Sequence, residues 1–308
     1  EVAWETQLNN STNGNIVYSV AWDRSANRIY ATSMEEDGSI YLYEIQDATG
    51  DVEDVHQLNI TPELIGKDSI ARDSTLYFTT DGTSYEYDFE TENLTTTNQY
   101  TPAAEGYAIG FTDGQAAIST YGSEFITTYL GETEQYQTYT SGNITSIQHT
   151  EIGFLYQDDS NISLRNTSTG SVIWSSSTAQ STVLYGATSE GQDTIYARVG
   201  DDLYSYERDS GNQSVLYDSS IPANTTSGFA QVDYHNGRIH TYQTVGGYDL
   251  ANDTPTHLYH IHDSETGELL YSEEIAYDSN KHQSVAIVYE QTETIEVIVG
   301  GSGSDYSP

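Results

Sequence analysis

One short segment returns along this chain at steps of about 40 residues, and a repeat of that period settles the architecture before any single residue does. The stretch Gly38-Ser39-Ile40-Tyr41-Leu42-Tyr43-Glu44-Ile45, closed by Asp47-Ala48-Thr49-Gly50, recurs as Gly82-Thr83-Ser84-Tyr85-Glu86-Tyr87-Asp88-Phe89. It returns as Asn161 to Asn166 before Ser168-Thr169-Gly170, as Asp202 to Glu207 before Asp209-Ser210-Gly211, and as His257 to His262 before Ser264-Glu265-Thr266-Gly267. A weaker copy runs from Glu124 to Tyr129. Around each copy the order is an apolar strand, a turn, a strand such as Arg28 to Thr32 or Thr194 to Arg198, a turn, the repeated strand, a Gly turn and a last strand. No apolar period of 3.6 residues competes with this pattern, so the chain reads as all-β.

Four antiparallel strands per period make one blade of a β-propeller. Six blades fit between about residues 15 and 277, and the apolar runs 284–288 and 294–298 start a seventh that is short of strands. The opening Val2-Ala3-Trp4-Glu5-Thr6 has the pattern of a last blade strand such as Ser171-Val172-Ile173-Trp174, so the N-terminus is expected to complete that blade. Closure of this kind removes an open edge strand. The expectation is a seven-bladed β-propeller with four-stranded antiparallel blades over residues 1–299, followed by a Gly/Ser-rich tail or linker at 300–308. Eight blades, six blades and a pair of β-sandwiches are the competing arrangements.

Charge narrows the partners. The chain has 47 acids against 9 Lys+Arg, a net charge of -38, and no cysteine. Thiolate metal sites, disulfides and cysteine nucleophiles are excluded. A surface so negative repels nucleic-acid phosphates and anionic lipid, and the basic residues do not cluster in sequence, so no nucleic acid and no direct membrane insertion are expected. Lys67 and Lys281 are the only lysines, and the acids are spread along the chain rather than gathered in a tail. In both respects the chain resembles proteins of extremely halophilic archaea or their viruses.

Ten of the sixteen asparagines begin an Asn-x-Ser/Thr sequon: Asn9, Asn10, Asn59, Asn93, Asn143, Asn161, Asn166, Asn212, Asn224 and Asn252. The excess points to N-glycosylation and to an extracellular, cell-surface or virion-surface location, although turn chemistry also places Asn beside Ser and Thr.

The strand with alternating Tyr, the acidic residue, the Thr-Gly turn and the following apolar strand resemble the blades of pyrroloquinoline-quinone-type propellers, a likeness shared with WD-type repeats. The best copies are Ile40 to Val52, Ile162 to Trp174 and Leu258 to Tyr271. The resemblance implies a propeller fold with tryptophans that dock blade on blade, a place taken here by Trp4 and Trp174, while Trp22 lies on another strand. The quinone enzymes of that family often carry adjacent cysteines, which this chain lacks.

Candidate chemistry concentrates in the sixth repeat. His235, His240, His257, His260 and His262 are five of the eight histidines. His260 and His262 share a strand face, and with His240 on the neighbouring strand three imidazoles would suffice for a transition metal. The alternative is that they fill polar rim positions equivalent to Glu44 and Gln46. The same repeat holds the longest insertion, 245–256, with Tyr248 and Asp249, and long loops on rigid scaffolds are where recognition resides. Acidic pairs such as Asp158-Asp159 and Asp201-Asp202 are of a kind that holds Na⁺, K⁺ or Ca²⁺, and no other cofactor is expected. Tyr41/Tyr43, Tyr85/Tyr87 and Tyr204/Tyr206 offer rings either for sugar stacking or for packing between blades. No Ser-His-Asp order, G-x-S-x-G elbow, P-loop or H-E-x-x-H is present. The leading expectation is a non-catalytic recognition or adhesion propeller whose partner is a protein or glycan on a cell surface. Its rivals are a propeller enzyme, quinoprotein-like or glycan-hydrolysing, and a structural subunit of a surface layer, pilus or capsid.

Overall fold

In a computed structural model of the chain, the described residues are 8, 16–23, 25–34, 39–60, 65–80, 83–99, 106–112, 115–121, 125–130, 133–139, 144–150, 152–158, 161–166, 169–177, 184–188, 193–199, 202–217, 227–245, 256–276, 284–289 and 295–300. The first sheet holds β1 (Ile16–Asp23), β2 (Arg28–Met34), β3 (Ile40–Gln46) and β4 (Val52–Leu58). The second holds β5 (Ile65–Arg72), β6 (Thr75–Thr80), β7 (Thr83–Asp88) and β8 (Asn93–Gln99). The third holds β9 (Gly106–Thr112), β10 (Gln115–Tyr121), β11 (Phe125–Leu130) and β12 (Thr133–Tyr139). The fourth holds β13 (Ile144–Thr150), β14 (Gly153–Asp158), β15 (Asn161–Arg165) and β16 (Val172–Ser177). The fifth holds β17 (Leu184–Thr188), β18 (Thr194–Val199), β19 (Asp202–Glu207) and β20 (Gln213–Tyr217). The sixth holds β21 (Ser227–His235), β22 (Arg238–Val245), β23 (Thr256–Asp263) and β24 (Leu269–Ala276). A two-stranded sheet, β25 (Ser284–Tyr289) with β26 (Ile295–Gly300), ends the series. Each four-stranded sheet is an antiparallel meander, and each outer pairing carries a register shift that adds twist.

The chain divides into two compact units, residues 1–102 with 278–308 and residues 103–277. Within the first, β1 runs beside both β5 and β25. Within the second, β9, β13, β17 and β21 follow one another side by side. First strand beside first strand stacks the sheets face against face, and this explains the burial. In β2, Ile29 through Ser33 are all buried, because both faces of a central strand are covered. On β4 the acids and Val55 stay exposed. Several buried hydroxyls find partners across strands: Ser19 with Thr32 at 2.6 Å, Ser119 with Thr128 at 2.8 Å and Ser163 with Ser175 at 2.9 Å.

The repeated acidic-to-Gly signature is a turn. Gly50, Gly170, Gly211 and Gly267 all have φ near +70°, and each donates its N–H to the carbonyl four residues back, at 2.8–2.9 Å. The side chain at that earlier position binds the turn's own polar groups: Asp263 Oδ1 accepts from the N–H of Glu265 and Thr266 at 3.0 and 2.8 Å, and Asn166 Oδ1 from that of Thr169 at 2.9 Å.

A second device clasps the first sheet to the second. Asp23 is buried, and its Oδ1 accepts from the Ser25 N–H at 2.9 Å while its Oδ2 accepts from the Ser74 N–H at 2.7 Å. Asp73 and Ser74 both have positive φ, 51° and 60°, which costs about 1–2 kcal/mol for each non-glycine residue. The carboxylate across the joint offsets that strain. Asp23→Ala removes the acceptor of these part-buried N–H groups and is expected to cost about 2–3 kcal/mol in urea unfolding, whereas Asp23→Asn, which keeps one acceptor oxygen, is expected to lose less. Equal midpoints for Asp23→Ala and the parent would discard the clasp.

Candidate functional site

The joints between successive sheets use a recurring contact. Trp174 on β16 stacks on Tyr206 of β19, with ring centroids 5.1 Å apart and planes 10° off parallel. A Cβ on Gly211, beyond that same β19, would lie 2.6 Å from the indole, so the glycine leaves room for the ring. One sheet on, Tyr217 of β20 packs on His262 of β23 at 4.6 Å, and the Leu216 backbone covers Gly267. In the first unit, His56 of β4 meets Tyr87 of β7 at 5.2 Å. In all three, a ring from an outer strand lies over the last inward position of the next sheet's third strand, next to the turn.

This contact explains the sixth repeat. His262 occupies the position of Tyr206; it is buried, its Nδ1 donates to the Gly267 carbonyl at 3.3 Å, and burial lowers its pKa. His260 stands 5.8 Å from it and 6.2 Å from Tyr217. Burial, then the charges of His262 and Arg198, push His260 down to about 4. His240 does not join them. It pairs with Ile261, which lies between the two on β23, so its side chain projects from the opposite face. There it is buried and shares a 2.7 Å hydrogen bond with the Tyr259 hydroxyl. The expected cluster of three imidazoles is corrected to a pair on one face and a single ring on the other. The rim reading is corrected too, since His240 and His262 are interior. His257 lies opposite Thr244, and its side chain is outside the described residues, as are Tyr248 and Asp249. Among the described residues no group of three His, Asp or Glu stands where it could hold a metal ion.

The acidic pairs and sequons are placed as follows. Asp158 is buried and accepts from the Asn161 backbone at 2.9 Å and from its Nδ2 at 3.2 Å; Asp202 accepts from the Tyr204 hydroxyl at 3.4 Å. Asp159 and Asp201 lie outside the described residues. Asn59 and Asn93 are exposed; Asn93 Nδ2 donates to Thr95 of its own sequon at 3.2 Å. Asn161 begins β15 and Asn166 follows its last residue, both half-buried, and Asn212 Nδ2 donates to Glu207 at 2.9 Å. Asn9, Asn10, Asn143, Asn224 and Asn252 are outside the described residues.

His149 on β13 was not singled out by the sequence. It is wholly buried beside Phe154, at 6.0 Å between ring centroids, and burial pushes its pKa down to about 4. The folded value lies below the unfolded one, so the stability it permits is complete above about pH 6.5 and is lost as pH falls towards 4. In 2 M NaCl, moving from pH 7.5 to 5.5 is expected to cost about 1 kcal/mol through this residue alone. Urea midpoints of parent and His149→Gln at both pH values check it, and an equal pH slope in the two proteins would remove the assignment.

Stacked four-stranded meanders with their first strands side by side define the β-propeller class, and solved structures of that class are similar to this chain. Kluyveromyces lactis Hsv2 with complete loop 6CD matches with a TM-score of 0.56 at 7% identity, covering 93% of this chain and 98% of that one. A form of it with loop 6CD replaced by a Gly-Ser linker gives 0.61, also at 7%. The WD40 domain of Neurospora crassa Pan2 gives 0.58 at 10% identity, over 95% of this chain and 90% of that one. No protein-family model matches the sequence, and no curated protein matches it. At such identities the likeness establishes the propeller fold.

Proposed function

We propose that this chain is a non-catalytic recognition propeller that binds a protein or glycan partner outside the cell, on a haloarchaeal-type cell surface or virion. The supporting observation is where chain length is spent. In a meander, the entry to the first strand and the connection between second and third strands lie at the same end of the sheet. The sixth sheet has the longest of each kind: nine residues, 218–226, lead into β21, and ten, 246–255, join β22 to β23. The corresponding connections elsewhere run to four to seven and two to five residues. Each long connection also carries a sequon, Asn224 or Asn252. His240, His260 and His262 are taken up in packing, which favours binding over turnover. Replacing 246–254 by a Gly-Asn turn is expected to leave the melting temperature unchanged and to weaken capture of target cells or arrayed glycans at high salt. Undiminished capture would move the site elsewhere.

The same reading makes residues 1–299 one seven-bladed ring, closed by an N-terminal strand. Residues 1–7 lie outside the described residues, and Leu8 packs against the core cluster of the first sheet that contains Val20, Ile29, Ala31, Tyr43 and Ile45. Deleting 1–8 is expected to cost about 2 kcal/mol from that uncovered apolar surface, and unchanged urea unfolding would argue against closure.

A further inference from the structure

The outer strand of the sixth sheet exposes more apolar surface than β4, β16 and β20, each of which exposes a single valine, Val55, Val172 or Val215. β4 has Leu58 buried and His56 half-buried, β16 has Trp174 buried, and β20 has Leu216 and Tyr217 half-buried. On β24 the six residues Leu269 to Glu274 are all exposed, including three consecutive large apolar side chains: Leu269 at 39%, Leu270 at 49% and Tyr271 at 43%. The pairing with β23 shifts register here, with Leu269 opposite His262, Tyr271 opposite Ile261 and Leu270 the extra residue, so Leu269 and Tyr271 lie on opposite faces and both faces of this edge are apolar.

The backbone is open as well. β24 is the terminal strand of its sheet, so alternate N–H and C=O groups face outward. Edges are commonly protected by proline, by lysine or by being very short. β24 has eight residues, the longest of the outer strands, and contains neither Pro nor Lys. Its charge is of one sign: Glu268, Glu273 and Glu274 are exposed around the apolar run, and the Tyr271 hydroxyl donates to Glu273 at 2.7 Å.

The geometry points to β24 as a docking edge for an extended segment of a partner protein, added as a further strand, with apolar residues over Leu269, Leu270 and Tyr271 and basic residues beside Glu273 and Glu274. The basic character follows from charge complementarity, since a second copy of a chain of net charge -38 would bring acids against acids. Backbone pairing supplies affinity, and the alternation of side chains supplies selectivity. The apolar run lies beside Ile261 and His262, at the end of β23 away from Thr256 and the long connection, so the serine pair and the loop replacement test different parts of the sheet and fail independently.

The test uses two labelled eight-residue peptides of equal charge, one alternating Val and Lys and the other Ser and Lys, titrated into the full chain in 0.5 M NaCl and read by fluorescence anisotropy. The Val-Lys peptide is expected to bind at least about tenfold more tightly than the Ser-Lys peptide. The pair Leu269→Ser and Leu270→Ser should abolish that difference, and Glu273→Gln with Glu274→Gln should weaken the Val-Lys peptide in a salt-dependent way. Circular dichroism and melting of the variants show that the fold is intact. Equal binding of the two peptides by the parent would overturn the proposal. So would a serine pair that melts far below the parent while the parent binds no peptide, which would mean that the chain's own residues cover the edge. A concentration-dependent dimer in sedimentation, lost in the serine pair, would assign the edge to a second copy and overturn it too.

Discussion

Raising NaCl or KCl from 0.15 M to 2 M is expected to raise the melting temperature of this protein by about 6 °C. The physical basis is the net charge of -38. For a compact chain of this length, a sphere of about 25 Å radius, unscreened self-repulsion in water is on the order of 100 kcal/mol. Screening reduces it to about 30 kcal/mol at 0.15 M and about 13 kcal/mol at 1 M. The unfolded chain keeps much of the same repulsion, so about a quarter of the difference, roughly 4 kcal/mol, reaches the folding equilibrium. Against a total stability of about 5–15 kcal/mol that is a large share. Local pairing relieves little of it. Arg28 bridges Glu44 at 3.0 Å and Glu53 at 2.7 Å, but the whole chain has only 9 Lys+Arg. Calorimetry across the salt series checks the expectation, with sucrose as a control that stabilises without screening. A flat melting temperature in salt would sink the resemblance to halophilic proteins together with this estimate.

Much of the fold was legible because its units are local. The acidic-to-Gly turn recurs in sequence because each copy must bring the chain back within five or so residues with a left-handed residue at a fixed place, and Glu92, with φ of 54°, fills that place where glycine is absent. The strand order followed from the same spacing. What stayed hidden is non-local. Asp23 reaches Ser74 across 51 positions of sequence, and nothing in either turn alone announces the bond. The three-histidine cluster failed for a definite reason. Register can be counted across the two-residue turn Asn236-Gly237, which pairs His235 with Arg238, but not across the ten residues 246–255 between β22 and β23. A slip of one residue exchanges the two faces, so only the structure could place His240 opposite Ile261 and away from His260 and His262. His149 was equally silent: between Gln148 and Thr150 in a mostly polar strand, a lone histidine has no sequence signal separating an interior ring from an exposed one.

Gly267→Ala is expected to be the most damaging single methyl group in the described part of the chain, with a loss of at least about 4 kcal/mol or failure to fold. Two costs add. The residue has φ of 72°, where an L side chain costs about 1–2 kcal/mol. A Cβ there would also run into the Leu216 carbonyl oxygen, with the Leu216 carbonyl carbon at 2.6 Å and its Cα at 2.9 Å. The obstacle is backbone belonging to β20, so relief requires separating the fifth sheet from the sixth at the joint where Tyr217 meets His262. Gly237 isolates the first cost from the second. Its φ of 73° is nearly the same, yet the nearest atom to an added Cβ is Ser264 Oγ at 3.9 Å, an ordinary contact. Gly237→Ala should therefore lose only the conformational part, about 1–2 kcal/mol. Gly211→Ala belongs with Gly267→Ala in sign and between the two in size, because its obstacle is the Trp174 side chain at 2.6–2.8 Å, which can tilt where a peptide cannot. Urea midpoints of the three variants, measured in 2 M NaCl so that charge repulsion is screened equally, should rank Gly237→Ala above Gly211→Ala above Gly267→Ala. If Gly267→Ala proved no worse than Gly237→Ala, the close approach of β20 to that turn would be wrong, and the shared contact by which these sheets dock would lose its best case.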